Sequence, residues 1–233
     1  MFQKILRNLA DVPSGIIPLV LVECGSFSPP HFAHLRNLEV ARKVIDEQHF
    51  CVVGGLISPV GSAYKKPNLA STEDRLAMCH LAVESSDWID VDDWEASQPT
   101  YTRTANVLDS ISNRLNTAAQ ALVPKPERIQ LRLVCGADLL ESMTRPGVWD
   151  LSLLAKLFSF GMICINRDAV NTQAMVAHEI LAPHREHIQL VPEEFSWHLS
   201  SSFIRQELHA GRSIKYLAPD SVLQYIAERR LFA

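Results

Sequence analysis

Short apolar, β-branched runs alternate along the chain with longer stretches in which apolar residues recur every three or four positions. The runs Pro18–Cys24, Phe50–Ile57, Ile129–Cys135, Gly161–Ile165 and His187–Val191 predict strands. The stretches His34–Glu47, Ser71–Glu84, Thr100–Leu122, Leu151–Phe158 and Thr172–Leu181 predict helices; in the first, Leu35, Leu38, Ala41 and Ile45 form one stripe. Strand and helix alternate, so the expected fold is α/β: a Rossmann-like, doubly wound parallel sheet with right-handed crossovers. Ligands of such sheets bind outside the carboxyl ends of the strands, where Gly25, Ser58, Gly136 and Arg167 fall. From Ser200 on a helical cap is expected: Ser200–Ala210 stops at Gly211, and Pro219–Arg229 opens on proline. Residues 1–15 form an N-terminal extension in this reading. Pro124-Lys125-Pro126 is a surface connection too short to separate domains, so 1–233 is expected to be one domain.

Composition narrows the partners. The 233 residues suffice for one large core, and 47% hydrophobic with 21% charged residues is ordinary for a globular protein. The net charge of −4 without a long basic run argues against a nucleic-acid backbone as partner. Any anion must be drawn in by a local positive pocket. Cys24, Cys51, Cys79, Cys135 and Cys164 stand singly, four of them in strand runs, which predicts buried reduced thiols. The first fifteen residues lack the apolar core of a signal peptide, and no stretch has membrane-spanning length. A cytoplasmic protein is expected, with the nucleus open.

The candidate chemistry begins where the run Ile16–Val22 empties into Gly25-Ser26-Phe27-Ser28-Pro29-Pro30-His31-Phe32-Ala33-His34. A buried strand ending in a glycine turn before a helix aims backbone N–H groups at one point, where phosphates bind well. His31 and His34 fall on nearly one face of that helix's first turn. Near the C-terminus, Leu199-Ser200-Ser201-Ser202-Phe203-Ile204-Arg205 places three hydroxyls at a helix start and a planar cation one turn in. The two cradles read as two sides of one nucleotide site. The loop Ser58–Asn68 puts Lys65 and Lys66 at the same edge, where a lysine can neutralise a leaving pyrophosphate. Trp94 and Trp149 offer faces for a planar, cationic ring. In Cys135-Gly136-Ala137-Asp138 the aspartate is an expected N-cap and acceptor. His178-Glu179 lacks a second histidine at metalloprotease spacing and no third ligand joins His31 and His34, which disfavours zinc. Neither a Walker loop nor a Gly-x-Gly-x-x-Gly turn is present, which disfavours a nicotinamide-dependent oxidoreductase.

These residues together resemble the eukaryotic-type nicotinamide/nicotinic acid mononucleotide adenylyltransferases of the nucleotidylyltransferase superfamily. The family's Gly-Ser-Phe-Asn-Pro and following histidine pair is similar to Gly25–Pro29 with His31-x-x-His34. Ile57–Lys66, Trp94-Glu95, Cys135–Asp138 with Trp149, Ser200–Arg205 and Lys215–Asp220 continue the likeness in order from about residue 18 to the end. The resemblance implies transfer of AMP from ATP to nicotinamide or nicotinic acid mononucleotide, with Mg²⁺ carried on substrate phosphates and water rather than in a protein cage. It implies catalytic roles for His34, Lys66 and Arg205. ATP contacts would come from Gly25, Ser26, Phe27, His31, His34, Lys65, Lys66, Ser202, Phe203, Ile204 and Arg205. Mononucleotide contacts would come from Trp94, Ser97, Gly136, Asp138, Val148, Trp149 and Arg167. Ser28 stands where the family has asparagine, Pro67 where a third lysine is frequent, and Trp197 where asparagine is frequent. Competing readings are a related nucleotidylyltransferase acting on a phosphopantetheine or choline-type substrate, and a noncatalytic nucleotide-binding protein. The choice between amide and carboxylate substrates stays open, as does a homo-oligomer.

Overall fold

A computed structural model describes residues 2–122, 127–166, 172–193 and 199–232. Among these, six strands form one parallel sheet: β1 (Ile17–Gly25), β2 (Phe50–Pro59), β3 (Ile89–Val91), β4 (Gln130–Gly136), β5 (Met162–Asn166) and β6 (Ile188–Pro192). Their order is β3-β2-β1-β4-β5-β6. The chain starts in the middle, winds outward to β3, and returns to lay β4 on the other side of β1. That reversal opens a crevice between the ends of β1 and β4.

Alternation along β1 sorts the helices into two layers. Leu19 and Leu21 pack with Leu38 and Ala41 of α2 (Phe32–Lys43) and Cys79 of α3 (Thr72–Ala82). Val20 and Val22 face the other way, with Ile5 of α1 (Gln3–Asn8), Leu108 and Ile111 of α4 (Thr104–Gln120), Leu140 of α5 (Ala137–Met143) and Leu154 of α6 (Leu151–Ser159). After β5 come α7 (Thr172–Val176) and a 3-10 turn, Ala182–His187. The C-terminal pair, α8 (Ser201–His209) and α9 (Asp220–Arg229), forms a third cluster in which Ile204, Val222 and Ile226 pack with Ala33 and Met78. Asp74 of α3 pins α9 in place: it accepts from Tyr225 Oη at 3.0 Å, Arg229 Nε at 3.2 Å and Ser71 Oγ at 2.6 Å.

The doubly wound sheet and helical cap agree with the sequence reading, and several elements differ from it. The N-terminal extension packs onto the sheet where described. Ile5 is fully buried against Gly54, where any side chain would collide with it, and Lys4 Nζ donates to Val83 O and Ile89 O at 3.0 and 2.8 Å. β3, three residues long, was not foreseen, and the helix expected after Gly136, α5, is seven residues long. The helix expected over Thr100–Leu122 begins only at Thr104, because Arg103 is extended (ψ 141°) and caps it. The five cysteines carry free thiols; Cys79, Cys135 and Cys164 are buried and Cys24 and Cys51 partly so. Pro124-Lys125-Pro126 lies outside the described residues. Among the described residues no helix is long and apolar enough to cross a membrane.

Candidate active site

The crevice between β1 and β4 is a cavity of about 470 Å³. Glu23, Cys24 and Gly25 line it from β1, and Cys135 and Gly136 from β4. Gly25 opens the turn. Phe27 follows with φ 45° and turns its ring inward, 1% exposed, where it meets the His34 ring edge-on at 4.8 Å. His31 takes the extended conformation of an N-cap, so α2 starts at Phe32, two residues before the expected start. The His31 N–H donates to His34 Nδ1 at 3.2 Å, and the two rings stack at 3.6 Å. With Nδ1 serving as acceptor, a neutral His34 carries its proton on Nε2, a donor for a ligand oxygen at the cavity wall.

The two cradles read from sequence come together. Arg205 Nη1 donates to Ser28 O at 2.7 Å and Nη2 to Ser202 Oγ at 3.1 Å, while Ser201 Oγ donates to Pro29 O at 2.8 Å. The three serines therefore divide the work. Ser200 caps α8 by accepting from Phe203 N, Ser201 binds the glycine turn, and Ser202 orients the guanidinium. Ser28, in the position of the family's asparagine, is fully buried and its Oγ accepts from Ala70 N at 2.9 Å, which ties the turn to the loop before α3.

Beneath this lies a residue the sequence reading passed over. Arg75 is 1% exposed and donates to Ser26 O at 3.0 Å, Val60 O at 2.7 Å, Ala70 O at 3.2 Å and Thr72 Oγ1 at 3.1 Å. A buried guanidinium persists only when its donors are satisfied, and here backbone carbonyls of two cavity loops satisfy them. Its position inside the helical pattern Ser71–Glu84 marked it only as a polar interruption of an apolar face.

The other end of the cavity is aromatic. Trp149 packs partly against the core, its Nε1 donating to Ser142 Oγ at 2.9 Å, and also lines the cavity beside Val148, Asp138 and Gly136. Tyr64 and Tyr101 also line the cavity, stacked at 5.8 Å, with the Arg103 guanidinium 5.4 Å over the Tyr101 ring. Tyr101, Arg103 and Thr104 line the wall and were missed, because a helix drawn from Thr100 placed them inside a regular element.

The remaining expected contact residues take different places relative to this cavity. Trp94 and Ser97 are not on the cavity wall: Trp94 packs on the core under Arg114, and Ser97 Oγ donates to Asp93 O. Glu95, next to Trp94, lines the cavity instead. Asp138 lies on the wall, yet Gly136 holds the cap position of α5. Lys65 and Lys66 are both exposed, and Lys66 lines the cavity. Phe27 and Ile204 are buried supports behind the wall, and Phe203 is 40% exposed outside it. Arg167 and Trp197 lie outside the described residues.

The floor is acidic. Asp92, fully buried, takes both oxygens to Arg114 at 2.7 and 2.9 Å. Glu23 accepts from Asn37 Nδ2 at 3.1 Å. Burial, reinforced by Asp92, pushes the Glu95 carboxyl up to about 8 against the pull of Arg75. Burial, reinforced by the charges of Glu95, Asp92 and Glu23, raises Cys24 well above an ordinary thiol, so it is no nucleophile. Among the described residues no three His, Cys, Asp or Glu side chains cluster to hold a metal ion.

A switch-point cavity with a glycine turn, a capped histidine and an arginine brought from the far end of the chain defines a nucleotide-binding protein of the doubly wound α/β class. Residues 22–207 match the model of the cytidylyltransferase-like family. The Arabidopsis thaliana nicotinamide/nicotinic acid mononucleotide adenylyltransferase is 41% identical over 216 residues, 92% of this chain and 90% of that one. Its Saccharomyces cerevisiae counterpart, enzyme 1, is 39% identical over 223 residues, which cover 93% of this chain and 56% of that longer one. The structure of Plasmodium falciparum nicotinic acid mononucleotide adenylyltransferase complexed with NaAD superposes with a TM-score of 0.67 at 18% identity, over 92% of this chain and 97% of that one. The chain belongs to the cytidylyltransferase-like family and, within it, to the nicotinamide/nicotinic acid mononucleotide adenylyltransferases.

Proposed function

We propose that this chain transfers the adenylyl group of ATP to the phosphate of nicotinamide or nicotinic acid mononucleotide, forming the dinucleotide and pyrophosphate. The observation that carries this reading is the one cavity at the mouths of β1 and β4, whose lining holds both anion donors (His34, Lys66, Ser202, Arg205) and aromatic faces (Trp149, Tyr64, Tyr101). The relatives' names supply the substrate class, and the cavity chemistry fits it.

In this reading the triphosphate lies against Gly25, Ser26, His31, His34, Lys66, Ser202 and Arg205. The pyridine ring lies on Trp149, with Val148, Gly136 and Asp138 around the ribose. A phosphate oxygen of the mononucleotide attacks the α-phosphorus, and the bond to the bridging oxygen breaks on the opposite side. That electron pair leaves with pyrophosphate. The attacking phosphate is already a nucleophile, so the chain supplies position and charge rather than a covalent intermediate. His34 Nε2–H and the free Arg205 donors stabilise the phosphoryl oxygens, and Lys66 follows the departing pyrophosphate. The N–H donors of this wall would hold phosphate oxygens rather than a metal, so a divalent cation such as Mg²⁺ would be carried by the triphosphate's own oxygens and water, where it would supply charge neutralisation.

The test is a coupled assay for dinucleotide from ATP with each mononucleotide in turn. Dinucleotide and pyrophosphate in equal amounts are expected, and absence of both products with both mononucleotides would overturn the reading.

A further inference from the structure

We propose that Arg75 is a positioning residue for the reaction: its guanidinium clamps both roots of the loop 61–69 to the glycine turn and so sets where Lys66 stands on the cavity wall. The proposal rests on the adenylyl-transfer reading above and deepens it.

The loop hangs from two residues, each held through both of its backbone polar groups. Val60 N donates to Gly25 O at 3.0 Å, and Val60 O accepts from Arg75 Nη2 at 2.7 Å. Ala70 N donates to Ser28 Oγ at 2.9 Å, and Ala70 O accepts from Arg75 Nε at 3.2 Å. One side chain therefore holds the entry and the exit of the loop. Its Nη1 donates to Ser26 O at 3.0 Å, which fastens both roots to the turn that opens the cavity. The remaining bond, Nη2 to Thr72 Oγ1 at 3.1 Å, stays within the first turn of α3.

Between the roots the chain has few other ties. Gly61 is buried against the Glu95 carbonyl, where a Cβ would lie 2.8 Å away. Beyond it residues 64–68 are exposed. Their backbone bonds are local, Tyr64 N to Gly61 O and Lys66 N to Tyr64 O, and the Tyr64 ring rests on Tyr101 at 5.8 Å. Lys66 carries its ammonium on a flexible stem, so the charge goes where the loop takes it. Ser26, Val60 and Lys66 all line the cavity, and Arg75 joins the first two from behind.

The task calls for a guanidinium. Nε, Nη1 and Nη2 each meet a carbonyl from a different segment, whereas a lysine there keeps the charge on a single nitrogen that cannot span all three. Helix α3 does not depend on this clamp for its own docking. Met78, Cys79 and Ala82 pack in the core, and Asp74 is bound to Tyr225 and Arg229 of α9. Loss of the fork should therefore free the loop and leave the helix in place.

The experiment compares the parent with Arg75→Lys, Lys66→Ala and the double variant. In Arg75→Lys kcat should fall roughly tenfold or more while KM for the mononucleotide stays near its parent value, since misplacing a reacting group by about 1 Å can cost on the order of a hundredfold. Because the clamp acts through Lys66, the double variant should lose less than the product of the two single losses. Trypsin supplies a readout that needs no reaction. It cuts after Lys65, the bond after Lys66 being protected by Pro67, and the rate tracks how often the loop opens. That cut should be several-fold faster in Arg75→Lys. Ser28→Ala, which removes the Oγ that holds Ala70 N, should speed the same cut to a smaller degree and carries the test if Arg75→Lys does not fold. Single losses that simply multiply, an equal weakening of both substrates with a lower Tm, or a cut after Lys65 no faster in either variant would each overturn the proposal. Absence of dinucleotide from the parent overturns the adenylyl-transfer reading instead, and the cleavage rates still judge the clamp.

Discussion

At the phosphate end of the cavity, polar groups are tied to backbone in several directions: Arg205 to Ser28 O, Ser201 to Pro29 O, His34 to the His31 N–H, and Arg75 to Ser26 and Val60 from below. At the ring end the wall is looser, with Tyr101 46% exposed, Val148 50% exposed and Trp149 held through one side-chain hydroxyl. The difference follows the chemistry each end has to perform. Stabilising charge that develops on a phosphoryl group requires donors that do not reorganise during the reaction. Stacking on a flat ring tolerates sliding, because dispersion and apolar burial vary slowly with lateral position. Damage at the first end should therefore appear as lost turnover, and damage at the second as lost mononucleotide affinity.

His34→Ala should show the largest effect. Loss of one charge-stabilising donor typically costs about 2.7–4 kcal/mol, so kcat/KM should fall by roughly two to three orders of magnitude with the fold intact. Near-normal turnover of the purified variant would remove His34 from the mechanism and erase the contrast. Arg205→Lys keeps the charge but loses the fork that spans Ser28 O and Ser202 Oγ. A hydrogen bond to a charged group contributes about 1.5–3 kcal/mol, so a loss of roughly tenfold or more is expected, borne by ATP. Unchanged ATP kinetics would make Arg205 a surface residue of α8.

Trp149→Ala sharpens the comparison from the other side. Base–aromatic stacking contributes about 1–3 kcal/mol, so KM for the mononucleotide should rise on the order of tenfold while KM for ATP stays near its parent value. An equal weakening of both substrates with a lower Tm would mean that Trp149 serves the core alone.

The smallest effect belongs to Asp74→Asn, which loosens α9 and, through the shared cluster, α8. KM for ATP should rise a few-fold with little change for the mononucleotide. The hydroxyl of Ser71, then Tyr225 and Arg229, holds the Asp74 carboxyl below its ordinary value. A carboxyl lowered in the folded state stabilises above its unfolded value, near 3.9, and loses that contribution as pH falls through the lower, folded value. The parent should lose about 1 kcal/mol on acidification below about pH 4, and Asp74→Asn less. Parallel acid-unfolding curves for the two would refute this.

The phosphate end was legible in the sequence because its parts are contiguous. Gly25–His34 and Ser200–Arg205 each carry turn, cap and cation within ten residues, and local rules suffice to read them. The ring end was legible only in part. Trp149, Gly136 and Asp138 follow a strand of ordinary length, whereas Glu95 and Tyr101 follow a strand of three residues, β3, in the stretch ahead of α4. No periodicity marks such segments, so Glu95, Tyr101 and Arg103, which line the cavity, were passed over. Arg75 escaped for a different reason. A buried arginine is recognisable only from the carbonyls that surround it, and those come from two loops closed by the tertiary fold.

The hydrogen bond from Arg205 to Ser28 joins residues 177 positions apart, and that from Ser201 to Pro29 joins residues 172 apart. During synthesis, the glycine turn and the first histidines leave the ribosome long before the segment that completes their cradle. A nascent chain lacking α8 can form the central strands, yet it has no second wall for a triphosphate. Competence to bind nucleotide is thus delayed until the last helices dock, and bound ATP in turn should slow proteolytic release of the C-terminal helices, since both draw on the same closure.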